Sequence, residues 1–98
     1  MRIIMDKMFN LDGKVAIVTG ASKGLGQGMS IALAKAGADI VGIGTSSLEE
    51  TKNEIERLGK IFLGINADLI KVDKIDYIVE ETIQKMGRVD ILVNNAGI

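Results

Sequence analysis

Cysteine, histidine and proline are all absent from this 98-residue chain, and aromatic residues make up only 3% of it. The missing cysteine rules out disulfides, a thiolate nucleophile and any zinc–cysteine site. The missing histidine removes the commonest general base and the commonest metal ligand, so no metal site is expected. Neither sign of charge dominates: 12 Lys and Arg stand against 13 Asp and Glu, for a net charge of −1. That balance leaves no electrostatic footprint for nucleic acid or for an anionic membrane surface. No apolar run approaches the roughly 20 residues that span a bilayer. Residues 1–10 lack both the apolar core and the small-residue cleavage site of a secretory signal. With no disulfide and no export signal, a cytoplasmic protein is expected. Residues 1–8 read as a flexible arm that becomes ordered near Phe9 and Leu11.

An apolar fraction of 47% is enough to build a core. The hydrophobic period switches between 2 and 3.6 along the chain. Lys14 to Thr19 is a near-continuous apolar run, as in a strand buried on both faces. Leu25, Met29, Ala32, Leu33 and Ala36 recur at helical spacing, with Gly37 as the helix stop. Ile40 to Ile43 reads as a second strand. Ser46 and Ser47, followed by Glu49 and Glu50, suggest a capping box opening a helix with Leu48, Ile55 and Leu58 on one stripe and an end at Gly59. Ile61 to Ile65 reads as a third strand. Val72, Ile75, Val79, Ile83 and Met86 line a third helix closed by Gly87 and Arg88. Val89 to Val93 reads as a fourth strand.

The order βαβαβαβ implies an α/β fold with a parallel sheet and right-handed crossovers. Doubly wound, its strands lie in the order 3-2-1-4. Two helices then cover one face, and the third covers the other nearly alone. Ile91-Leu92-Val93 forms an open apolar edge, which parallel sheets seldom leave bare. The expectation is half of a larger fold, or a chain that pairs with another.

Two glycine-bearing motifs stand out. A Walker loop is not present: Gly13-Lys14 and Gly59-Lys60 lack the upstream glycine and the following hydroxyl residue. The tight G-x-G-x-x-G is also unmet, because Met29 follows Gly24-Leu25-Gly26 and Ser47 follows Gly42-Ile43-Gly44 where the third glycine should be. The first motif is T-G-x-x-x-G-x-G, made by Thr19, Gly20, Gly24 and Gly26 after a buried strand and before a helix. There Gly20 frees the turn, Gly24 admits a phosphate close to the backbone, and Gly26 lets the helix pack closely. The second is Asn94-Asn95-Ala96-Gly97 after the fourth strand. Strands 1 and 4 flank the point where the strand order reverses, so both motifs fall at one ligand crevice. A plain glycine-rich turn and an Asx turn are the competing readings.

With Thr19-Gly20-Ala21-Ser22-Lys23-Gly24-Leu25-Gly26, Asp68-Leu69 and Asn94-Asn95-Ala96-Gly97, the chain from Phe9 onward resembles the short-chain dehydrogenase/reductase family. That resemblance implies the N-terminal half of a Rossmann-type NAD(P)-binding domain over residues 9–98. It implies pyrophosphate and ribose contacts from Ser22, Lys23, Gly24 and Leu25, with Gly20 and Gly26 shaping the same cofactor-binding loop and Thr45 at the end of the second strand. Asp68, with Leu69 beside it, would meet the adenine, and the run Asn94-Asn95-Ala96-Gly97 would line the cofactor groove. Asp68 also suits the N-cap of the third helix. A closer likeness, carried by Phe9-x-Leu11-x-Gly13-Lys14-Val15, Gly24-Leu25-Gly26-Gln27-Gly28-Met29 and Ala36 to Gly42, is to members acting on sugar acids such as 2-deoxy-D-gluconate or 2-dehydro-3-deoxy-D-gluconate. Gly28, inside a helix, suggests tight packing or a subfamily trait.

The choice of cofactor, NAD or NADP, stays open. An acidic residue at the end of the second strand would select NAD. Asp39 lies at its start, and the end reads Gly44-Thr45-Ser46. Lys23 could meet a 2′-phosphate. The family's chemistry uses a tyrosine with a lysine one helical turn later, together with a serine. The only tyrosine is Tyr77, with Glu81 in the lysine's place, and it reads as a boundary aromatic. No catalytic residue is assigned. The expectation is the cofactor-binding half of an oxidoreductase, inactive alone, whose parent forms a homo-oligomer. The alternative is a non-catalytic nucleotide-binding module or a truncated remnant.

Overall fold

The structure, a computed structural model, describes residues 10–67 and 73–95. Its elements in chain order are β1 (Val15–Thr19), α1 (Gly24–Lys35), β2 (Asp39–Gly44), α2 (Glu49–Arg57), β3 (Phe62–Asn66), α3 (Asp73–Met86) and β4 (Ile91–Val93). All five residues of β1 are buried. A strand with no exposed side chain belongs in the middle of a sheet covered on both faces. The sheet order is β3-β2-β1-β4 and every pairing is parallel. Val15 stands opposite Asp39 on one side of β1, and Ala16 stands opposite Ile91 on the other. This is the Rossmann-type doubly wound arrangement.

The two-residue period of the strands splits the apolar residues between two cores. Ala16, Val18 and Ile40 face one side, where they pack with Ala34 of α1, Ile55 of α2, Leu48 and Phe62. Val15, Ile17, Val41 and Ile43 face the other, against Ile78 of α3. Two helices therefore cover one face and one covers the other. The outer edge is open at β4, where Leu92 is 61% exposed. Among the described residues, no helix is long and apolar enough to cross a membrane.

The helix faces differ from those expected. The buried stripe of α1 is Gly26, Ser30 and Ala34, while Leu25 is 70% exposed and Leu33 reaches only the margin of the core. Small side chains let the helix backbone come close to the sheet, and that closeness decides which face turns inward. Ser30 tolerates burial because its hydroxyl donates to the Gly26 carbonyl at 2.8 Å. In α3 the buried residues are Ile78 and Thr82, whereas Ile75 and Ile83 are exposed. Thr82 hides its polarity in the same way, donating to the Ile78 carbonyl at 2.8 Å.

The start of α2 also differs. Leu48 is its N-cap and no side chain caps it. Leu48 is drawn into the core, which fixes the entry of the helix one residue later than a capping box at Ser47 would need. Ser47 Oγ instead accepts the Glu49 N–H at 3.3 Å. Glu49 and Glu50 in the first turn suit the positive end of the helix dipole. The far end of α1 closes as a Schellman turn. Gly37 N–H donates to the Ala34 carbonyl at 3.0 Å, and Ala38 N–H to that of Leu33 at 3.1 Å.

An ion pair missed in the sequence holds β4 in place. The Asp90 Oδ2 accepts the Val15 N–H at 2.9 Å, and Asp90 N–H donates to the Val15 carbonyl at 2.9 Å. Arg88 grips the same carboxylate with two bonds, Nε to Oδ2 and Nη2 to Oδ1, both 2.8 Å. These bonds, from Arg88 first and the Val15 amide next, hold the Asp90 carboxyl below its ordinary pKa. A carboxyl whose folded pKa is depressed contributes stability above its unfolded pKa and loses it as pH falls through the folded value. Asp90→Asn should therefore lower the urea midpoint at pH 7. The gap to wild type should close as pH drops below about 3.9, the ordinary aspartate value. A gap that ignores pH would remove the charge from this account.

Candidate functional site

The carboxyl ends of β1, β2 and β4 converge on the loop of residues 20–23. Thr19 closes β1 and is buried, with a polar side chain that must be satisfied locally. Its hydroxyl donates to Asn94 Oδ1 at 3.1 Å and accepts the Asn95 N–H at 2.8 Å. The ends of β1 and β4 are thus stitched together at the point where the strand order reverses. Asn95 Nδ2 also reaches the Gly20 carbonyl at 3.5 Å. Asn95 belongs to the Asn-Asn-Ala-Gly run that the sequence marks, but its bonds to Thr19 and Gly20 are visible only in the fold.

Gly26 sits directly on this turn. A Cβ there would collide with the Gly20 carbonyl oxygen and come within 2.8 Å of Asn95 Nδ2. The structure therefore requires glycine at that position for close approach. Gly24 is different: its φ is +61° and a Cβ would have nothing within 4 Å. The loop is open on that side. Lys23 is the extended N-cap of α1, with φ −162° and ψ 174°, and no side chain caps the helix. The first turn of α1 holds no acidic residue. The first amides of any helix lack intrahelical acceptors, and here no carboxylate competes for them. Such a terminus favours an anion. The residues present therefore fit a diphosphate.

Ser22 is half-buried, and its Oγ accepts a hydrogen bond from Ser46 Oγ at 2.8 Å. That contact sets the loop against the segment following β2. Thr45 is exposed beside it. With its amide nitrogen turned toward acceptors, Asn66 donates to the Gly44 and Ser46 carbonyls at 3.2 Å each. Asp39, at the opposite end of β2, is engaged elsewhere: its Oδ1 accepts the Ile61 N–H at 2.9 Å. Lys23 and Leu25 are exposed. Gly20, Ser22, Lys23, Gly24, Leu25, Gly26, Thr45 and Asn94 are thus gathered at one end of the sheet. Asp68, Leu69, Ala96 and Gly97 lie outside the described residues. Tyr77 lies on α3, is half exposed, and donates to Glu81 Oε1 at 3.3 Å. It borders a groove with Leu63, Ile65 and Lys85 rather than with the glycine loop.

The chain is similar to known proteins in sequence and in fold. Residues 14–98 match the family described as short chain dehydrogenase. The chain is 50% identical over 90 residues to a 2-dehydro-3-deoxy-D-gluconate 5-dehydrogenase of Escherichia coli (strain K12), covering 92% of this chain and 36% of that protein. It is 48% identical over 90 residues to the protein of the same name in Dickeya dadantii (strain 3937), with the same coverage of 92% and 36%. Its fold superposes on a short chain dehydrogenase from Mycobacterium paratuberculosis bound to NAD, with a TM-score of 0.84 and 28% identity over 91% of this chain and 38% of that one. The chain belongs to the short-chain dehydrogenase family. It spans about a third of the length of these curated relatives, 36% in both cases.

Two glycines of α1 should respond in opposite ways to alanine. Gly26→Ala should cost about 1–3 kcal/mol, because a backbone carbonyl cannot easily move aside. Gly28 is exposed, and a Cβ there would meet nothing within 4 Å, so tight packing does not explain it. Gly28→Ala should therefore gain about 0.5–1 kcal/mol from helix propensity. Urea titration of both variants measures this, and a destabilising Gly28→Ala would contradict it.

Proposed function

We propose that this chain is the nicotinamide-dinucleotide-binding half of a sugar-acid oxidoreductase, with residues 9–98 forming the N-terminal half of the binding domain and residues 1–8 an arm. The observation that carries this reading is the loop after β1. Its helix starts uncapped and free of acid, and its turn is tied to the end of β4 at the reversal of strand order. In this reading the amides of residues 22–26 hold the diphosphate, with Gly20 and Gly26 shaping the turn. Thr45 lies near the adenosine ribose, and Asp68 and Leu69 near the adenine. Asn94, Ala96 and Gly97 border the groove. The cofactor, once bound, supplies hydride exchange with a secondary alcohol or ketone.

The substrate class rests on the relatives that are 50% and 48% identical and named for 2-dehydro-3-deoxy-D-gluconate. 2-Deoxy-D-gluconate is the second candidate. No residue that touches substrate is assigned. Tyr77 is followed by Glu81 where the family pattern has lysine, so the 98 residues alone are proposed to be inactive. A non-catalytic nucleotide-binding module would use the same loop, and turnover by the native gene product decides between the two. The parent enzyme is proposed to be a cytoplasmic homo-oligomer, in which the remainder of the domain covers the β4 edge and its exposed Leu92.

NAD is favoured by the NAD-bound structural neighbours. NADP is favoured by Lys23 and by the lack of a carboxylate at Gly44-Thr45-Ser46. Parallel titrations with NADH and NADPH test the reading. Lys23→Ala should weaken NADPH by about two- to fivefold, the scale of an exposed ion pair, and leave NADH unchanged. Binding of neither nucleotide would defeat the assignment. Equal affinities for the two in wild type would remove Lys23 from selection. Measurable oxidation of 2-deoxy-D-gluconate by residues 1–98 would overturn the proposed inactivity.

A further inference from the structure

The loop that would hold the diphosphate is fastened from the side by a residue outside both glycine motifs. Thr51, in the first turns of α2, is fully buried, as is Ala21. Thr51 Oγ1 donates to the Ala21 carbonyl at 2.7 Å across thirty residues of sequence. Ala21 N–H donates to the Ile43 carbonyl at 3.0 Å. Both polar groups of Ala21 are therefore committed, one to α2 and one to β2.

The direction of the Thr51 proton is also fixed. Gln27 Nε2, from α1, donates to Thr51 Oγ1 at 3.1 Å and to Glu50 Oε1 at 3.1 Å. A hydroxyl has one proton. With Gln27 donating to its oxygen, that proton goes to Ala21. The peptide joining Ala21 to Ser22 is trans and planar, so its N–H points opposite to its C=O. With the carbonyl held toward α2, the Ser22 N–H must face away from the α1–α2 interface.

Resting on the dinucleotide reading above, we infer that Thr51 is a positioning residue. Its hydroxyl, oriented by Gln27, locks the Ala21–Ser22 peptide so that the Ser22 amide is presented to the diphosphate. Without that hydroxyl, the Ala21 carbonyl loses its buried donor. The peptide can then rotate to seek another, which takes the Ser22 N–H out of line. Thr51 thus acts on binding through the backbone of the loop.

The test is titration of the 98-residue chain with NADH, NADPH and adenosine, which lacks the diphosphate. Thr51→Val keeps the shape and removes the hydroxyl, while Thr51→Ser keeps the hydroxyl. Thr51→Val should weaken the preferred dinucleotide by about tenfold, the worth of one well-placed hydrogen bond to a charged group. Adenosine binding should stay unchanged, and Thr51→Ser should bind the dinucleotide like wild type. Unchanged dinucleotide affinity in Thr51→Val would overturn the inference. So would a parallel loss for adenosine, or failure of serine to restore binding, since either marks a general structural role. If Thr51→Val does not fold, Gln27→Leu carries the test. It frees the hydroxyl to rotate and should lower dinucleotide affinity by about threefold with adenosine again unchanged. Unchanged dinucleotide affinity there would overturn the inference. A wild-type chain that binds neither dinucleotide defeats the underlying assignment before any variant is made, so the two failures are distinguishable.

Discussion

The contact between Gly26 and the Gly20 carbonyl sets the geometry on which the rest depends. Helix α1 rests its backbone on the turn that leaves β1, at a separation that excludes even a methyl group. From that contact the rest of the helix follows. Its inward stripe must be small, and it is: Gly26, Ser30 and Ala34. The helix axis is consequently close to the sheet, and its first turn points over the carboxyl ends of the central strands. A larger residue at 26 would lift the helix and its amides together.

Around that contact lies a polar joint whose inner groups are satisfied within the protein. Among the described residues, no buried side-chain nitrogen or oxygen lacks a partner. Thr19 serves Asn94 and Asn95, Ser22 meets Ser46, and Thr51 holds Ala21. The first ties the segment after β4 to the end of β1, and the other two tie the segment after β2 and α2 to the loop that follows β1. A backbone fixed on several sides loses little further freedom when a ligand arrives, which is how rigid loops keep the ordering cost of binding low. The amides at the start of α1 are left without a side-chain cap.

The element order and the strand order could be read directly from the chain. Period-2 and period-3.6 patterns alternate cleanly, and a β1 that is apolar up to its terminal Thr19 belongs at the centre of a parallel sheet. The two glycine motifs were also legible, because their place between strand and helix is a matter of spacing. The helix faces were not. Hydropathy favoured Leu25 and Ile75 over Ser30 and Thr82, yet the hydroxyl residues went inside. Their back-bonds to the preceding turn, and the shortness of their side chains, are invisible to a scale that counts only apolar groups. The bonds of Asp90 to Val15, Thr51 to Ala21 and Asn95 to Thr19 were hidden for another reason: they join residues 75, 30 and 76 positions apart in the chain.

The sequence by itself determined the alternation of strands and helices, the position of the glycine turn after a buried strand, and the absence of cysteine and histidine chemistry. These depend on local composition and period, which need no knowledge of distant residues. Tertiary structure alone decided which side of each helix turns inward and which side chains hold the loop. Those outcomes depend on how closely two backbones can approach and on which groups face each other once they do, and neither quantity exists until the chain has folded.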